Sequence, residues 1–395
     1  MEVFCTSPWV PPEWIKAHGL EPRGIWLAQD FACEPLPMAA GVCAFANAVV
    51  HLAERQAESA VIFTTHCDQL RRGFDAVAGA AQPRVFLFNL PVTWQTPVAE
   101  RIYSDELKRL GRFLLGLGGR APTAAALAEI IIHYDKERQC LLEAASWCPA
   151  RAYAEAVARF HLDGSVHLPL ARGCPQPQQD GRQQDARTLP HESSLVADAA
   201  EARRAPGISS IPLALVGGPL SQSQMPLLDA IERAGGRVVL NATEAGERSL
   251  WPACRLDQAD AGGTPAQTGG AERSVYAAET SIDQPGQDAL APVSSPESCS
   301  LKAALPALLA RRFLSHCVDV FQRPNTRLYD WLRERLTARR VRGIVLWHHV
   351  GCDLWRAEAQ PMREAFGLPV LLLDADEAAP NRSIGRLEAF LESLR

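Results

Sequence analysis

Ala60-Val61-Ile62-Phe63-Thr64-Thr65-His66-Cys67-Asp68 is the stretch on which the fold turns. An unbroken apolar run that stops at polar residues reads as a strand buried on both faces, and Cys67-Asp68 opens the helical period that follows. The junction recurs far downstream, where Gly343-Ile344-Val345-Leu346-Trp347 leads through His348-His349 to Gly351-Cys352-Asp353. Each cysteine thus ends a buried strand and begins a helix. Open α/β sheets place their ligand sites there, and the helix dipole favours a thiolate. Together the two junctions predict two halves of one metal site held between two α/β domains.

Around the first junction, short apolar runs at Ile25–Ala28, Ala60–Thr65 and Arg84–Leu90 alternate with helix-like spacing over Gly41–Glu58, Thr96–Gly116, Pro122–Trp147 and Ala150–Phe160. Around the second, strands are expected at Ile211–Gly218, Arg237–Leu240, Val341–His348 and Pro369–Leu373. Helices are expected over Ser223–Ala234, Leu301–Val318, Thr326–Arg339, after Cys352 and over Ile384–Leu394. Such alternation is the signature of parallel sheets wrapped by helices. The expected fold is α/β, with two Rossmann-like, flavodoxin-like domains facing across a cleft and carrying polar insertions. The N-terminal domain spans 1–172 with Cys43 and Cys67, a polar linker 173–206, and the C-terminal domain 207–395 with Cys352. A low-complexity insertion at about 256–300 interrupts the last of these.

With 395 residues, 47% hydrophobic and 22% charged, the chain has the composition of a globular protein with sizeable cores. Its 40 basic and 45 acidic residues leave a net charge of −5, without the basic excess that nucleic-acid binding requires. The N-terminus lacks a basic segment followed by an apolar one, and no apolar run is long enough to span a bilayer, so a cytoplasmic protein is expected. In that compartment eleven cysteines suit reduced thiols and metal ligation better than a disulfide framework.

Cys67 and Cys352 sit where rigid elements can hold thiolates. Cys43, which starts the helix before the Cys67 strand, is a third candidate, and Cys33 competes with it. The alternative for each is a buried structural thiol. No Cys-x-x-Cys pair occurs, so ligands must converge from distant positions. His348 and His349 beside Cys352, with His66 and Cys67, also allow a zinc site, against the reading of strand-end histidines as hydrogen-bonded neighbours. Gly217-Gly218 before a helix either cradles an anionic group such as a CoA phosphate or forms a tight strand-to-helix turn. Gly116-Leu117-Gly118-Gly119-Arg120-Ala121 follows a helix and reads as its C-terminal turn rather than a dinucleotide loop. Neither a P-loop nor a His-Glu-x-x-His or Gly-x-Ser-x-Gly motif is present.

Read in order, these segments resemble the 2-hydroxyacyl-CoA dehydratase family, which also contains the ATP-dependent benzoyl-CoA reductase subunits. Trp9-Val10-Pro11-Pro12-Glu13-Trp14-Ile15-Lys16-Ala17-His18-Gly19-Leu20-Glu21-Pro22 is similar to the family's opening stretch, and Thr64 to Asp75 to its most specific motif. Tyr103–Leu110, Val216–Leu220, Ile231–Val239, Arg342–Val345 leading to Cys352, Pro369–Asp376 and Arg386–Phe390 continue the likeness in family order.

The resemblance implies an iron–sulfur subunit of the D-component type, with a [4Fe-4S] cluster on Cys43, Cys67 and Cys352 and an iron open to the thioester or to water. It further implies a related dehydratase subunit as partner, a separate ATP-hydrolysing iron–sulfur activator, and an acyl-CoA substrate. The implied lyase reaction reduces the thioester carbonyl by one electron to a ketyl radical, eliminates the 2-hydroxyl and a β-proton, and returns the electron to leave an enoyl-CoA. His66, His348 and His349 are the candidate catalytic groups, hydrogen-bonding cluster sulfide or polarising the carbonyl. Asp68 and Asp353 are expected to cap their helices. Two alternatives accompany this reading: a benzoyl-CoA-type reductase subunit, and an electron-relay or scaffold subunit whose cluster has no open iron or has been lost.

Overall fold

Apolar segments bounded by polar turns become strands that pair only in parallel. A computed structural model describes residues 1–25, 42–55, 58–79, 84–169, 210–251, 296–316, 318–374 and 380–395. The first sheet holds β1 (Glu2–Cys5), β2 (Glu21–Gly24), β3 (Ala60–Thr64) and β4 (Val85–Phe88) in the order β2-β1-β3-β4. The second holds β5 (Ile211–Gly217), β6 (Gly236–Ala242), β7 (Gly343–His348) and β8 (Val370–Asp374) in the order β6-β5-β7-β8. The two orders are the same, so β3 and β7 occupy equivalent places beside the strand where the winding reverses. Two four-stranded, all-parallel sheets bear out the α/β expectation and are consistent with two Rossmann-like domains.

Parallel neighbours need crossovers, and helices supply them. In the first half these are α1 (Pro12–Ala17), α2 (Ala44–Arg55) and α3 (Asp68–Ala78), followed by α4 (Pro97–Gly116), α5 (Ala124–Ala144) and α6 (Ala150–Asp163). The second contains α7 (Pro226–Arg233), α8 (Pro296–His316), α9 (Thr326–Ala338), α10 (Asp353–Ala357), α11 (Ala359–Phe366) and α12 (Pro380–Ser393). Caps mark where helices begin: Thr96 and Thr123 accept the amides of Ala99 and Ala126 at the starts of α4 and α5.

Alternation along the strands builds a core on each face. Val3, Cys5 and Ile62 pack with Trp14, Tyr103 and Leu110, whereas Phe4, Val61 and Phe63 pack with Val49, Leu70 and Val77. Each such side chain stabilises the fold by roughly 1.5–3 kcal/mol on burial. The second sheet repeats the device, with Leu213, Leu215 and Val345 on one face and Ala214, Val216 and Ile344 on the other. Two helices cross between these layers. α8 lies along α4 and buries Leu309 and Phe313 in the first core, and α6 touches β2 as well as β6 and α7.

Several expected boundaries move. The strand expected at Ile25–Ala28 lies earlier, at Glu21–Gly24, and 26–28 fall outside the described residues. Pro22 and Arg23 hide this strand from a hydropathy reading, and its edge position is what tolerates a proline. β1 and α1 are additional short elements. Cys33 and the tract Gly173–Pro206 lie outside the described residues, as does Leu256–Ser300 up to 295; residues 296–300 begin α8. The Gly116–Ala121 segment is the C-terminal turn of α4, with Gly118 at φ +91°, a conformation glycine adopts without strain. Among the described residues no helix is long and apolar enough to cross a membrane.

Candidate functional site

Three helix starts carry the candidate thiols. The carbonyls of Cys43, Cys67 and Cys352 accept the amides of Asn47, Arg71 and Arg356, so each cysteine occupies the N-cap position of its helix. This corrects the expectation for Asp68 and Asp353, which are the first residues inside α3 and α10 and make no capping bond. The aspartates do place negative charge in the first turn.

All three cysteines line one pocket. The first half also contributes Thr6, Phe45, His66 and Leu70, and the second adds Pro219, Glu244, Asp319, His349, Leu354 and Trp355. Cys43 approaches the turn at Gly351, where an added Cβ would stand 3.7 Å from the cysteine's own. Strand ends from both halves therefore bring together residues separated by most of the chain.

Electrostatics at the thiols reflect a contest between burial and helix amides. Burial pushes Cys67 up to about 12; the amides of Leu70 and Gln69 pull it down, and the nearby Cys352 and Cys43 add to the rise. Cys352 is raised to about 11 by burial first, against the amide of Trp355. The Ala46 amide points at Cys43 Sγ from 3.5 Å. The helix starts do favour thiolates, as the sequence suggests, but burial outweighs them until a cation is bound.

The histidines divide. His349 is lowered to about 4 by burial, and its Nε2–H donates to the Pro219 carbonyl at 3.1 Å, leaving Nδ1 as an acceptor. His66 is also lowered by burial, and its Nδ1 meets Thr64 Oγ1 at 2.6 Å. His348 is not among the residues lining this pocket; its Nε2 stands 2.7 Å from Asp374 Oδ1 on the neighbouring strand. At Gly217, φ is +150° and an added Cβ would lie 1.9 Å from the Trp347 carbonyl, to which the Gly218 amide donates at 3.2 Å. Both contacts are those of a tight strand-to-helix turn.

Sequence reasoning missed a buried charge cluster in the same pocket. Arg248 Nη1 bonds Asp319 Oδ2 at 2.5 Å, and its Nη2 lies 3.7 Å from Glu244 Oε1. Burial raises Glu244 to about 7, with Arg248 opposing the rise and Asp319 adding to it. The available signal was Glu244 and Arg248 four residues apart, directly after the strand Val238–Leu240.

Among the described residues no three His, Cys, Asp or Glu side chains are grouped closely enough to hold a single metal ion. Three thiols on separate helix starts around one pocket suit instead a polynuclear group, in which each sulfur meets a different metal and the ligands stand further apart. Three thiols among the pocket's polar side chains suit such a cluster in chemistry, and no His–Cys zinc tetrahedron is preformed among the described residues.

Paired parallel sheets wrapped by crossover helices define a Rossmann-like α/β class, and the cysteine-lined pocket draws on both halves. The family model for the 2-hydroxyglutaryl-CoA dehydratase D-component matches residues 9–267 and 300–394, and the chain belongs to that family. A comparison with curated proteins gives no match.

Proposed function

We propose that the chain is the iron–sulfur subunit of a 2-hydroxyacyl-CoA dehydratase, a lyase, with its site in the cleft between the two α/β domains. The observation that carries this reading is the convergence of Cys43, Cys67 and Cys352 on one pocket, each at a helix start, in a chain of this family. When bound there, a [4Fe-4S] cluster supplies one-electron chemistry of the kind needed to eliminate water from a 2-hydroxyacyl thioester.

The chain's own residues do the rest. Cys43, Cys67 and Cys352 release their protons on ligation, and the amides of Ala46, Leu70 and Trp355 stabilise the sulfur charge. Phe45, Leu70, Leu354 and Trp355 keep water from the pocket. His66 and His349, held neutral by burial, are its polar neighbours, oriented through Thr64 and Pro219. A related dehydratase subunit and a separate ATP-hydrolysing activator complete the proposed system, and the cytoplasm is its proposed compartment.

The test is the iron and acid-labile sulfide content of anaerobically reconstituted chain, for wild type, Cys67→Ser and Cys352→Ser. About four of each per wild-type chain, lost in either variant, is the expected result. Absence of iron from folded wild-type protein would sink the reading.

A further inference from the structure

The loop after β6 brings a different donor to the thiol-lined pocket. Glu244 is 4% exposed and lines the pocket together with the three cysteines. Its Oε1 faces Arg248 at 3.7 Å, but its Oε2 is buried with no hydrogen-bond partner among the described residues. Leaving such an acceptor unmatched is costly, and more so when it is charged.

Arg248 is committed elsewhere. Its guanidinium bonds Asp319 at 2.5 Å, the carbonyls of Ala242 and Gly217 at 3.0 Å each and that of Val318 at 3.3 Å, and lies over the Trp355 ring. One cation therefore faces two carboxylates, and Glu244 is the more weakly matched. Its raised proton affinity is caused first by burial, which Arg248 opposes without offsetting.

Three thiolates leave one metal of a four-metal cluster without a protein ligand, and carboxylates are competent iron ligands. We propose that Glu244 Oε2 is the fourth protein donor to the group held by Cys43, Cys67 and Cys352, closing the coordination position that three cysteines leave open. The proposal rests on the iron–sulfur reading above. It closes this chain's group to direct binding of a thioester and leaves it an electron-relaying role.

The test compares reconstituted full-length wild type, Glu244→Gln and Glu244→Cys, using cyanide as the probe of an open iron and the electron paramagnetic resonance spectrum of the reduced cluster as readout. Wild type is expected to keep its spectrum in cyanide, Glu244→Gln to keep about four irons but shift on cyanide addition, and Glu244→Cys to resist cyanide again with altered g-values. If Glu244→Gln fails to fold by circular dichroism, the Glu244→Cys spectrum decides: g-values identical to wild type overturn the assignment. A wild-type cluster that shifts in cyanide as Glu244→Gln does also overturns it, while leaving the iron–sulfur reading standing. Wild type without iron overturns that reading itself.

Discussion

Arg138 in the first half pairs with Glu13 and, at 3.0 Å, with Asp135, and Arg312 reaches the same Asp135. Arg248 in the second half faces both Asp319 and Glu244. Two guanidinium groups meet two carboxylates in the first network, whereas one meets two in the second. Buried charges persist only when matched: the first network balances in charge, although Glu13 Oε2 lacks a hydrogen-bond partner among the described residues, whereas the second carries a carboxylate in excess. The unbalanced network is the one that lines the pocket of Cys43, Cys67 and Cys352.

Four substitutions in the metal-free chain can break or sharpen that contrast. Arg138→Ala should have the largest effect, a loss of about 3–5 kcal/mol in urea unfolding, because Glu13 would remain buried without its cation. A loss under ~1 kcal/mol would end the structural reading of the first network.

Glu244→Gln should instead stabilise. Burial raises this carboxyl from the usual 4.5 to about 7, so the folded chain holds a proton that the unfolded chain releases between those values. Wild-type stability consequently falls as pH rises from about 4.5 to 7 and stays low above. Glutamine does not titrate, so the variant's advantage should be absent below that window and reach about 3 kcal/mol above it, read from thermal melts at pH 4.5 and 8. Equal melts at both pH values would show Glu244 to be matched after all.

Glu13→Gln, the same change in the balanced network, should go the other way by roughly 1.5–3 kcal/mol, the worth of a hydrogen bond to a charged group. Similar signs for the two glutamines would erase the distinction between networks. The smallest effect is expected from Asp319→Asn. Asp319 is among the groups that raise Glu244, so its neutralisation should lower that carboxyl and shrink the fall in stability between pH 4.5 and 7 by on the order of 1 kcal/mol. An unchanged pH profile would place the cause of the shift in burial alone.

What the sequence made legible follows from what leaves a local trace. Val61, Ile62 and Phe63 announce a doubly buried strand by composition, and Cys67 and Cys352 announce themselves by following such strands, although the strands stop at Thr64 and His348 and the cysteines cap the next helices. β2 left no such trace, because an edge strand of Glu21-Pro22-Arg23-Gly24 needs only one covered face. His348 and His349 look equivalent as neighbours, yet successive strand-end residues point apart, and only His349 reaches the pocket. Glu244, Arg248 and Asp319 drew no reading from the sequence, because their burial is a property of two distant segments meeting. The shared strand order was equally hidden, since pairing in parallel sheets depends on crossovers rather than on sequence similarity.

α8 has a bearing on how the chain is made. Leu309 and Phe313 are wholly buried in the core of the first sheet, against Tyr103 and Trp251, although they follow that sheet by much of the chain's length. As synthesis proceeds from the N-terminus, β1 to β4 and α4 emerge with this apolar face bare, and only after residue 316 leaves the ribosome can it be covered. Folding of the first half must wait for the second, in the slow regime of long-range pairing, and the nascent chain spends that interval with an adhesive surface for chaperones to shield.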